Sequence, residues 1–476
     1  MKVRTRFAPS PTGFLHVGGI RTALFAFLVA RQAGGQFVLR LEDTDKKREV
    51  EGSDEHLMKS LKALGLQYDE GPDIGGPYGP YRQSERLESY KKWAQKLIDA
   101  GRAYADPYTP EQIDEFRKSA QAAKKPFLYR NHRPDNPPTW DGTQPLRLKS
   151  EPKAYQWHDA VMGNLSTGPE VIDDIILIKS DGYPTYNFAH IIDDAEMQIT
   201  HIIRGQEFIA STPNYLNIYE ALGLTPPIMA TMPHIMNEQG NKKLGKRDGA
   251  KDVLDYIRDG YLPEALTNFI ASMGWNDGTE QEIFTMEELI KKFSLERVQR
   301  SGARFDERRL LWMNGHFIRE LPLDDLFNRV RDYWGEEAQN AENNYKKQVL
   351  GLAQERMKFF AELNSLTNFF FVDLPVNPEL ISGNKQLKKL ETKDLKSLLE
   401  TAKASLEQSD FSVRDLTDRL NNLLEETGQK PAVLFGLIRI ATTQSPASPA
   451  LAETIAVLGK ETSLRRIKEQ IASIQS

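Results

Sequence analysis

The chain has 476 residues, 39% of them hydrophobic and 27% charged, with a formal net charge of −5 at pH 7. That is the composition of a globular protein with room for about three domains of ordinary size. Cysteine is missing altogether, which excludes disulfides and thiolate metal sites, and no run of about 20 apolar residues exists to cross a membrane. The opening MKVRTRFAPS leads straight into an expected strand rather than a signal peptide, so a cytoplasmic location is expected.

Residues 3–8 read as a short strand and Pro9-Ser10-Pro11-Thr12-Gly13 as a turn. From residue 18 to 33, Ile20, Ala23, Leu24, Phe27 and Leu28 recur at helical spacing, and Gly34-Gly35 closes the helix as a C-cap pair. Residues 37–41 read as a second strand. The product is a βαβ unit of the dinucleotide-fold kind, with its ligand expected at the C-terminal end of the first strand, where His16 stands. A further helix is expected from Asp54, with Leu57, Leu61 and Leu64 on one face. Ser84 reads as the cap of another, with Leu87, Tyr90, Leu97 and Ile98 inward and Gly101 at its end. Seven prolines between residues 105 and 150 predict an irregular insertion. Residues 146–148 and 171–177 return to strand. Residues 201–204 read as a buried strand, followed by a helix from Ser211 with Tyr215, Ile218 and Leu222 inward. From Leu321 onward the pattern is nearly all helical.

Two distant segments carry the chemistry. His16 stands two residues before Gly18-Gly19, at the joint of the first strand and helix, and Lys242, Lys243, Lys246 and Arg247 stand together in NKKLGKRDGA. A helix N-terminus offers unpaired N–H groups and a positive dipole end to phosphate. Lysines on a mobile loop add point charges that follow a triphosphate as its geometry changes. Taken singly, the histidine is an ordinary polar helix start and the lysine loop an ordinary solvated turn. The acidic total also conceals basic patches. Residues 291–309 hold seven Lys/Arg against three acids, including Arg300, Arg304, Arg308 and Arg309, and residues 242–251 hold five against Asp248. Such patches set a nucleic-acid footprint, with a solvated charged face as the alternative.

The segments RFAPSPTGFLHVGG, RTALF, FVLRLEDTD, DEGP, GPYRQSER, GRAY, LIKSDGYPTYNFAHIIDDAEM, IIRGQE, KKLGKRDGA and RLLWMNG run in this order from residue 6 to residue 315. Through them the chain closely resembles the class I aminoacyl-tRNA synthetases, and within those the bacterial-type glutamyl-tRNA synthetases. HVGG stands for the class motif HIGH and KLGKR for KMSKS. Gly19 replaces a histidine, a departure common in the glutamyl branch. Gly245 replaces a serine, so a hydroxyl contact near the phosphates is lost or taken over by backbone. Many such enzymes carry a Cys-rich zinc knot after GRAY. Here the place reads Ala105-Asp106-Pro107-Tyr108, and no zinc or other protein-held metal is expected.

The resemblance implies an α/β Rossmann-type class I catalytic domain, split between residues 1–81 and 187–225. Residues 82–186 would form an inserted acceptor-stem-binding domain, and 226–320 a stem-contact region with the KLGKR loop. Residues 321–476 would form an all-α anticodon-binding half. The implied activity is glutamate–tRNA ligation by a monomer acting on L-glutamate, ATP with Mg²⁺ and tRNA(Glu). His16, Lys243 and Lys246 would be catalytic. Arg6, Ser10, Glu42, Tyr186 and Arg204 match the family's glutamate pocket, the arginines meeting carboxylates and Glu42 the ammonium, and Ala8 and His190 are expected to join them. Position 190 varies among relatives, and a protonated His190 is expected to help hold the side-chain carboxylate. His16, Gly18, Gly19, Glu207, His234, Ile235, Lys243, Lys246 and Arg247 would contact ATP, His234 and Ile235 through backbone groups. Arg300 and Arg304 are candidates for tRNA contact, and Arg356, expected within a helix, stands where the family places a residue facing the third anticodon base, with a solvent-facing residue paired with Glu355 or Glu362 as the alternative. The alternatives are a glutaminyl-tRNA synthetase, a glutamyl-queuosine tRNA synthetase and a non-catalytic tRNA-binding paralogue. The helical C-terminal half argues against the first, its length against the second, and His16 with its lysines against the third.

Overall fold

The computed structural model describes residues 2–245 and 251–474, in two compact units. One holds the chain up to Ile257 with Pro263–Glu307, the other Arg258–Leu262 with the chain from Arg308 onward.

In the first unit, β1 (Arg4–Phe7) is buried along its whole length. Thr5 Oγ donates to the Ala26 carbonyl (2.7 Å) of α1 (Val17–Gln32). Strand alternation therefore turns Arg4 and Arg6 to the opposite face. Helix α1 ends as its glycine pair predicts. Gly34 takes a left-handed φ of 58°, its N–H reaches Arg31 O (3.1 Å), and Gly35 N–H reaches Ala30 O (2.7 Å). Strand β2 (Gln36–Leu39) runs parallel to β1, Arg4 opposite Gln36 and Phe7 opposite Leu39. The ladder continues past it through Arg40 N–H to Phe7 O and Glu42 N–H to Pro9 O, each 3.0 Å. Arg40 and Glu42, two residues apart, are thereby delivered to one face.

After α2 (Ser53–Ala63), α3 (Leu87–Asp99) starts differently from expectation. Its N-cap is Arg86, and Ser84 instead sits in a 3₁₀ turn, giving its N–H (2.8 Å) and hydroxyl (2.6 Å) to Asp43. A carboxylate only 3% exposed needs those donors more than the helix end does. The insertion is more ordered than its prolines predict. Following β3 (Ala103–Ala105), α4 (Pro110–Ala122) forms on a Thr109/Gln112 capping box with Pro110 in its first turn, where a missing N–H does no harm. Next come β4 (Leu146–Leu148), the hairpin β5 (Tyr155–Asp159) and β6 (Gly163–Thr167), and β7 (Ile176–Ile178). The strand expected over 171–177 is thus mostly a turn, because Asp173 and Asp174 fold inward to collect hydrogen bonds from residues 104–150. The β5–β6 hairpin was not expected at all.

The chain then forms α5 (Tyr186–Glu196), β8 (His201–Gly205), α6 (Thr212–Ala221) and β9 (Ile228–Met232). The main sheet has the order β2-β1-β8-β9-β5-β6, parallel except for the hairpin at its edge, and β3-β4-β7 make a separate antiparallel sheet. A short parallel pair, β10 (Ile235–Met236) with β11 (Ala303–Arg304), follows.

Among the described residues of the second unit the regular elements are all helices. Thr392–Glu407, Val413–Thr427, Pro431–Thr443, Leu451–Leu458 and Lys460–Ser473 close around Leu399, Leu416, Leu434, Leu437, Ile455 and Ile467, all fully buried. The helix Asn343–Gln354 stops before Arg356, which lies in the turn beyond its Glu355 C-cap rather than within it. No described helix is long and apolar enough to cross a membrane.

Candidate active site

Two cavities open at the C-terminal ends of β1 and β8, where a parallel sheet of this kind binds ligands. The first encloses about 850 Å³ and is lined by Arg6, Ala8, Ser10, Glu42, Tyr186 and Arg204. The second encloses about 540 Å³ and is lined by His16, Gly18, Glu207, His234, Ile235 and Lys243. Ser10, Gly19 and Glu207 belong to both walls. The fold thus gathers thirteen of the expected positions onto two adjoining walls, leaving His190, Lys246 and Arg247 unaccounted for among the small-molecule residues.

The first cavity is a charged pocket. Arg6 donates Nε to Asp194 Oδ1 (3.1 Å) and Nη1 to Ile203 O (3.4 Å). Arg204 donates Nη2 to Thr212 Oγ (2.8 Å), with its guanidinium 5.2 Å from the Tyr215 ring and 5.7 Å from that of Phe208. These contacts fix both cations on pocket walls without using Nη2 of Arg6 or Nη1 of Arg204. Glu42, 5% exposed, accepts from Arg40 (3.1 Å). Burial raises its pKa to about 7, opposed by Arg40 and Arg6. Two cations and one anion on one wall are what an amino acid with two carboxylates and an ammonium requires.

His190 departs from expectation. It lies behind Tyr186, stacked on it at 4.7 Å, and lines neither cavity. Burial pushes its pKa down to about 3, so the ring is neutral rather than protonated. Its Nδ1 faces the Tyr186 carbonyl (2.7 Å) and so carries the proton, which leaves Nε2 as a buried acceptor with no partner.

The second cavity is built around the start of α1. His16 is the N-cap in an extended conformation, and its Nδ1 accepts from Gly18 N–H (3.1 Å). A Cβ at Gly18 would stand 3.0 Å from the imidazole, and one at Gly19 2.7 Å from Leu15, so glycine lets the ring fold over the helix end. Opposite, Lys243 is fixed by a bridge to Met236, and Leu244 N–H reaches Ile235 O (2.8 Å). Lys243 Nζ lies 4.0 Å from Glu207. The backbone contacts expected of His234 and Ile235 are partly taken: His234 N–H reaches Gln206 (3.2 Å), and the Ile235 carbonyl serves Leu244. Lys246 and Arg247 lie outside the described residues. Among the described residues no group of three or more His, Asp or Glu is placed to hold a metal ion.

Arg304 is exposed on β11, and Arg300 donates Nε to the Val161 carbonyl (3.0 Å) beside the β5–β6 hairpin. Several residues at the cavities were not selected from sequence. Lys46, Lys47 and Lys179 line the first, and Arg21, 4% exposed, lines the second. The run Lys46-Lys47-Arg48 just after Glu42 was the available signal for the basic rim. Nothing local marks Arg21, which donates to the Pro233 and Met273 carbonyls far along the chain.

Comparison with known proteins adds to this geometry. Residues 2–312 match the family of tRNA synthetases class I (E and Q), catalytic domain, and residues 325–471 match an anticodon binding domain. The glutamate–tRNA ligase of Clostridium botulinum is 40% identical over 484 aligned residues, covering 100% of this chain and 99% of the relative. That of Dehalococcoides mccartyi is 40% identical over 481, covering 99% and 98%. Among solved structures, a glutamate tRNA ligase from Elizabethkingia meningosepticum in complex with its amino acid aligns with a TM-score of 0.87 at 31% identity, covering 100% of both chains.

Proposed function

This chain belongs to the class I tRNA synthetases for glutamate and glutamine, and from that premise we propose how its two cavities work. It is a glutamate–tRNA ligase. The observation that carries the mechanism is the meeting of a two-cation, one-anion pocket with a helix N-terminus at Ser10, Gly19 and Glu207.

Glutamate sits in the first cavity, with Arg6 and Arg204 on its carboxylates and Glu42 on its ammonium. ATP sits in the second, its phosphates toward His16, the N–H groups of Gly18 and Gly19, and Lys243, with Lys246 and Arg247 following in sequence. An oxygen of the α-carboxylate attacks the α-phosphorus, the bond to the bridging oxygen breaks, and pyrophosphate leaves. The nucleophile is already an anion, so no catalytic base is needed; alignment and charge neutralisation do the work. Magnesium would enter on the triphosphate, since no protein cage is needed to hold it there. In the second step a hydroxyl of the terminal ribose of tRNA(Glu) attacks the acyl carbon and AMP departs. Lys46, Lys47 and Lys179 on the rim suit the phosphates of an incoming 3′ end. A monomer working in the cytoplasm completes the reading.

Glutamate-dependent exchange of pyrophosphate into ATP, measured with and without tRNA and with glutamine as control, tests it. Exchange with glutamine in preference to glutamate would overturn the substrate assignment. Exchange without any amino-acid dependence would overturn the mechanism.

A further inference from the structure

Arg40 stands behind the first cavity, lines neither cavity wall and has 0% of its surface exposed. An enclosed guanidinium persists only among carboxylates. Its Nη2 donates to Glu42 Oε1 (3.1 Å), its Nη1 to Asp194 Oδ1 (2.8 Å), and its Nε lies 3.7 Å from Asp193 Oδ2. Asp194 Oδ1 also accepts Nε of Arg6 (3.1 Å). Asp193 is served from elsewhere, by Arg86 Nε (2.7 Å), Gln83 (2.8 Å) and Tyr90 (2.9 Å). Arg40 therefore touches Glu42 directly and Arg6 through Asp194.

The geometry points to Arg40 as a positioning residue for glutamate: it holds the Glu42 carboxylate aimed at the ammonium and, through Asp194, keeps Arg6 aimed at a carboxylate. This rests on the reading of Arg6 and Glu42 as glutamate ligands. The charged and titratable groups facing Glu42 are Arg40 beyond β2, Arg6 on β1, Asp194 and Tyr186 on α5, and Tyr215 on α6. Burial and Asp194 drive Glu42 toward its neutral form, and Arg40 and Arg6 oppose them. Without Arg40 a buried carboxylate keeps one cation fewer, holds its proton to higher pH and attracts an ammonium less. The two ends of the arrangement are also coupled sterically. A single fork spans Glu42 and Asp194, which a lysine's point charge does not reproduce.

The test uses full-length R40Q, R40K and E42Q. Glutamate KM is measured by aminoacylation at saturating ATP and tRNA from about pH 6 to about pH 9. ATP KM and the melting temperature are measured alongside. Near neutrality R40Q should raise glutamate KM about fivefold or more, the effect of about one pK unit on Glu42, and R40K should raise it by less. ATP KM should stay within about twofold. In R40Q glutamate KM should recover as pH rises. R40K, which keeps the charge, should show a smaller alkaline displacement. Were R40Q not to fold, the R40K profile decides alone. Glutamate and ATP KM rising together, or a glutamate profile that does not move on the pH axis, would make Arg40 a structural residue and overturn the proposal. E42Q separates the two layers. If E42Q weakens glutamate binding while the Arg40 variants do not, only the Arg40 role falls. If E42Q leaves glutamate KM and its pH profile intact, the ammonium reading falls and the Arg40 role with it.

Discussion

The His16 imidazole caps the helix that it begins, its Nδ1 accepting the Gly18 N–H at 3.1 Å. A nitrogen that accepts bears no proton, so the neutral ring carries its hydrogen on Nε2, a donor suited to a phosphate oxygen. Loss of one preorganised donor of this kind slows a step by about 10²- to 10³-fold. His16→Ala is expected to slow single-turnover adenylate formation by that amount and leave glutamate KM nearly unchanged. His16→Asn should recover part of the rate, because asparagine both caps a helix and donates from its amide. An Asn variant as slow as the Ala variant would count against the donor role.

Arg6→Ala should damage glutamate use far more than ATP use. The substitution removes a cation 4% exposed and leaves Asp194 with Arg40 as its guanidinium partner. Loss of a partner from a buried charge pair is worth about 2–5 kcal/mol. In aminoacylation, kcat/KM for glutamate should fall by a factor on that scale while ATP KM moves little. Equal losses for both substrates would make Arg6 a structural residue.

Glu42 predicts a pH dependence with a definite sign. Burial raises its pKa to about 7, so the empty site is increasingly protonated below that pH. An ammonium binds the carboxylate form. Glutamate KM should therefore be level above about pH 7 and climb about tenfold per unit below it. Glu42→Gln should raise KM and flatten the profile. A wild-type glutamate KM that falls toward acid pH would contradict the assignment.

Elements with local signals were legible in the sequence. Helix α1 carries its cap, its apolar stripe and its closing glycines within the segment, and it forms from Val17 to Gln32. Arg6, Glu42 and Arg204 were found because they lie at strand ends inside family motifs. Arg40 carries no local sign of burial, since a lone charge inside the expected strand 37–41 is equally at home facing water. Only the approach of α5, with Asp193 and Asp194, makes it interior. The β5–β6 hairpin was missed for a related reason. Its residues are largely intermediate or exposed, and its place comes from a single parallel pairing of Asp159 with Met229. Ser84 and the 171–177 strand failed where a buried carboxylate, Asp43 or Asp174, claimed donors or backbone that local propensity had assigned elsewhere.

A zinc-selective chelator is expected to change neither melting temperature nor activity. In the segment where relatives carry a knot, Asp106 accepts from Arg147 (2.6 Å), Tyr108 N–H (3.1 Å) and the Tyr129 hydroxyl. The Arg147 guanidinium lies 3.3 Å over the Tyr129 ring. Asp174, fully buried, accepts from Tyr104 (2.8 Å), Ser150 (2.6 Å) and Arg133. Protein donors thus fill the lone pairs that a metal would need. Asp174→Ala should cost about 2–4 kcal/mol in urea unfolding, below the full loss of a buried pair because Arg133 keeps access to water. Metal analysis finding one tightly held zinc per chain would refute the first expectation.

Arg356 carries the last prediction, on tRNA choice. It is exposed just past the helix Asn343–Gln354, anchored through its N–H to the Ala353 carbonyl (3.0 Å). Of the two acids that an ordinary surface pair would use, Glu355 is the adjacent C-cap residue and Glu362 spends Oε2 on Lys358 N–H (2.7 Å). Another cation also stands near. Arg439, half-buried on Pro431–Thr443, has its pKa lowered by burial and by Arg356. Two guanidiniums held together favour an electron-rich guest, and an unstacked base presents such an edge. An arginine fork donates to the O2 and N3 acceptors of an unpaired cytosine, whereas the same edge of guanine presents its N1–H and N2–H donors. On this reading the wild type prefers tRNA(Glu) to the glutamine tRNA whose anticodon is CUG. A good bidentate contact discriminates by about 1–3 kcal/mol. Arg356→Gln should lower the ratio of kcat/KM between the two tRNAs by a factor on that scale, with adenylate formation on the correct tRNA near normal at saturation. Equal charging of both tRNAs by the wild type, or an unchanged ratio in the variant, would show that Arg356 does not read the third base.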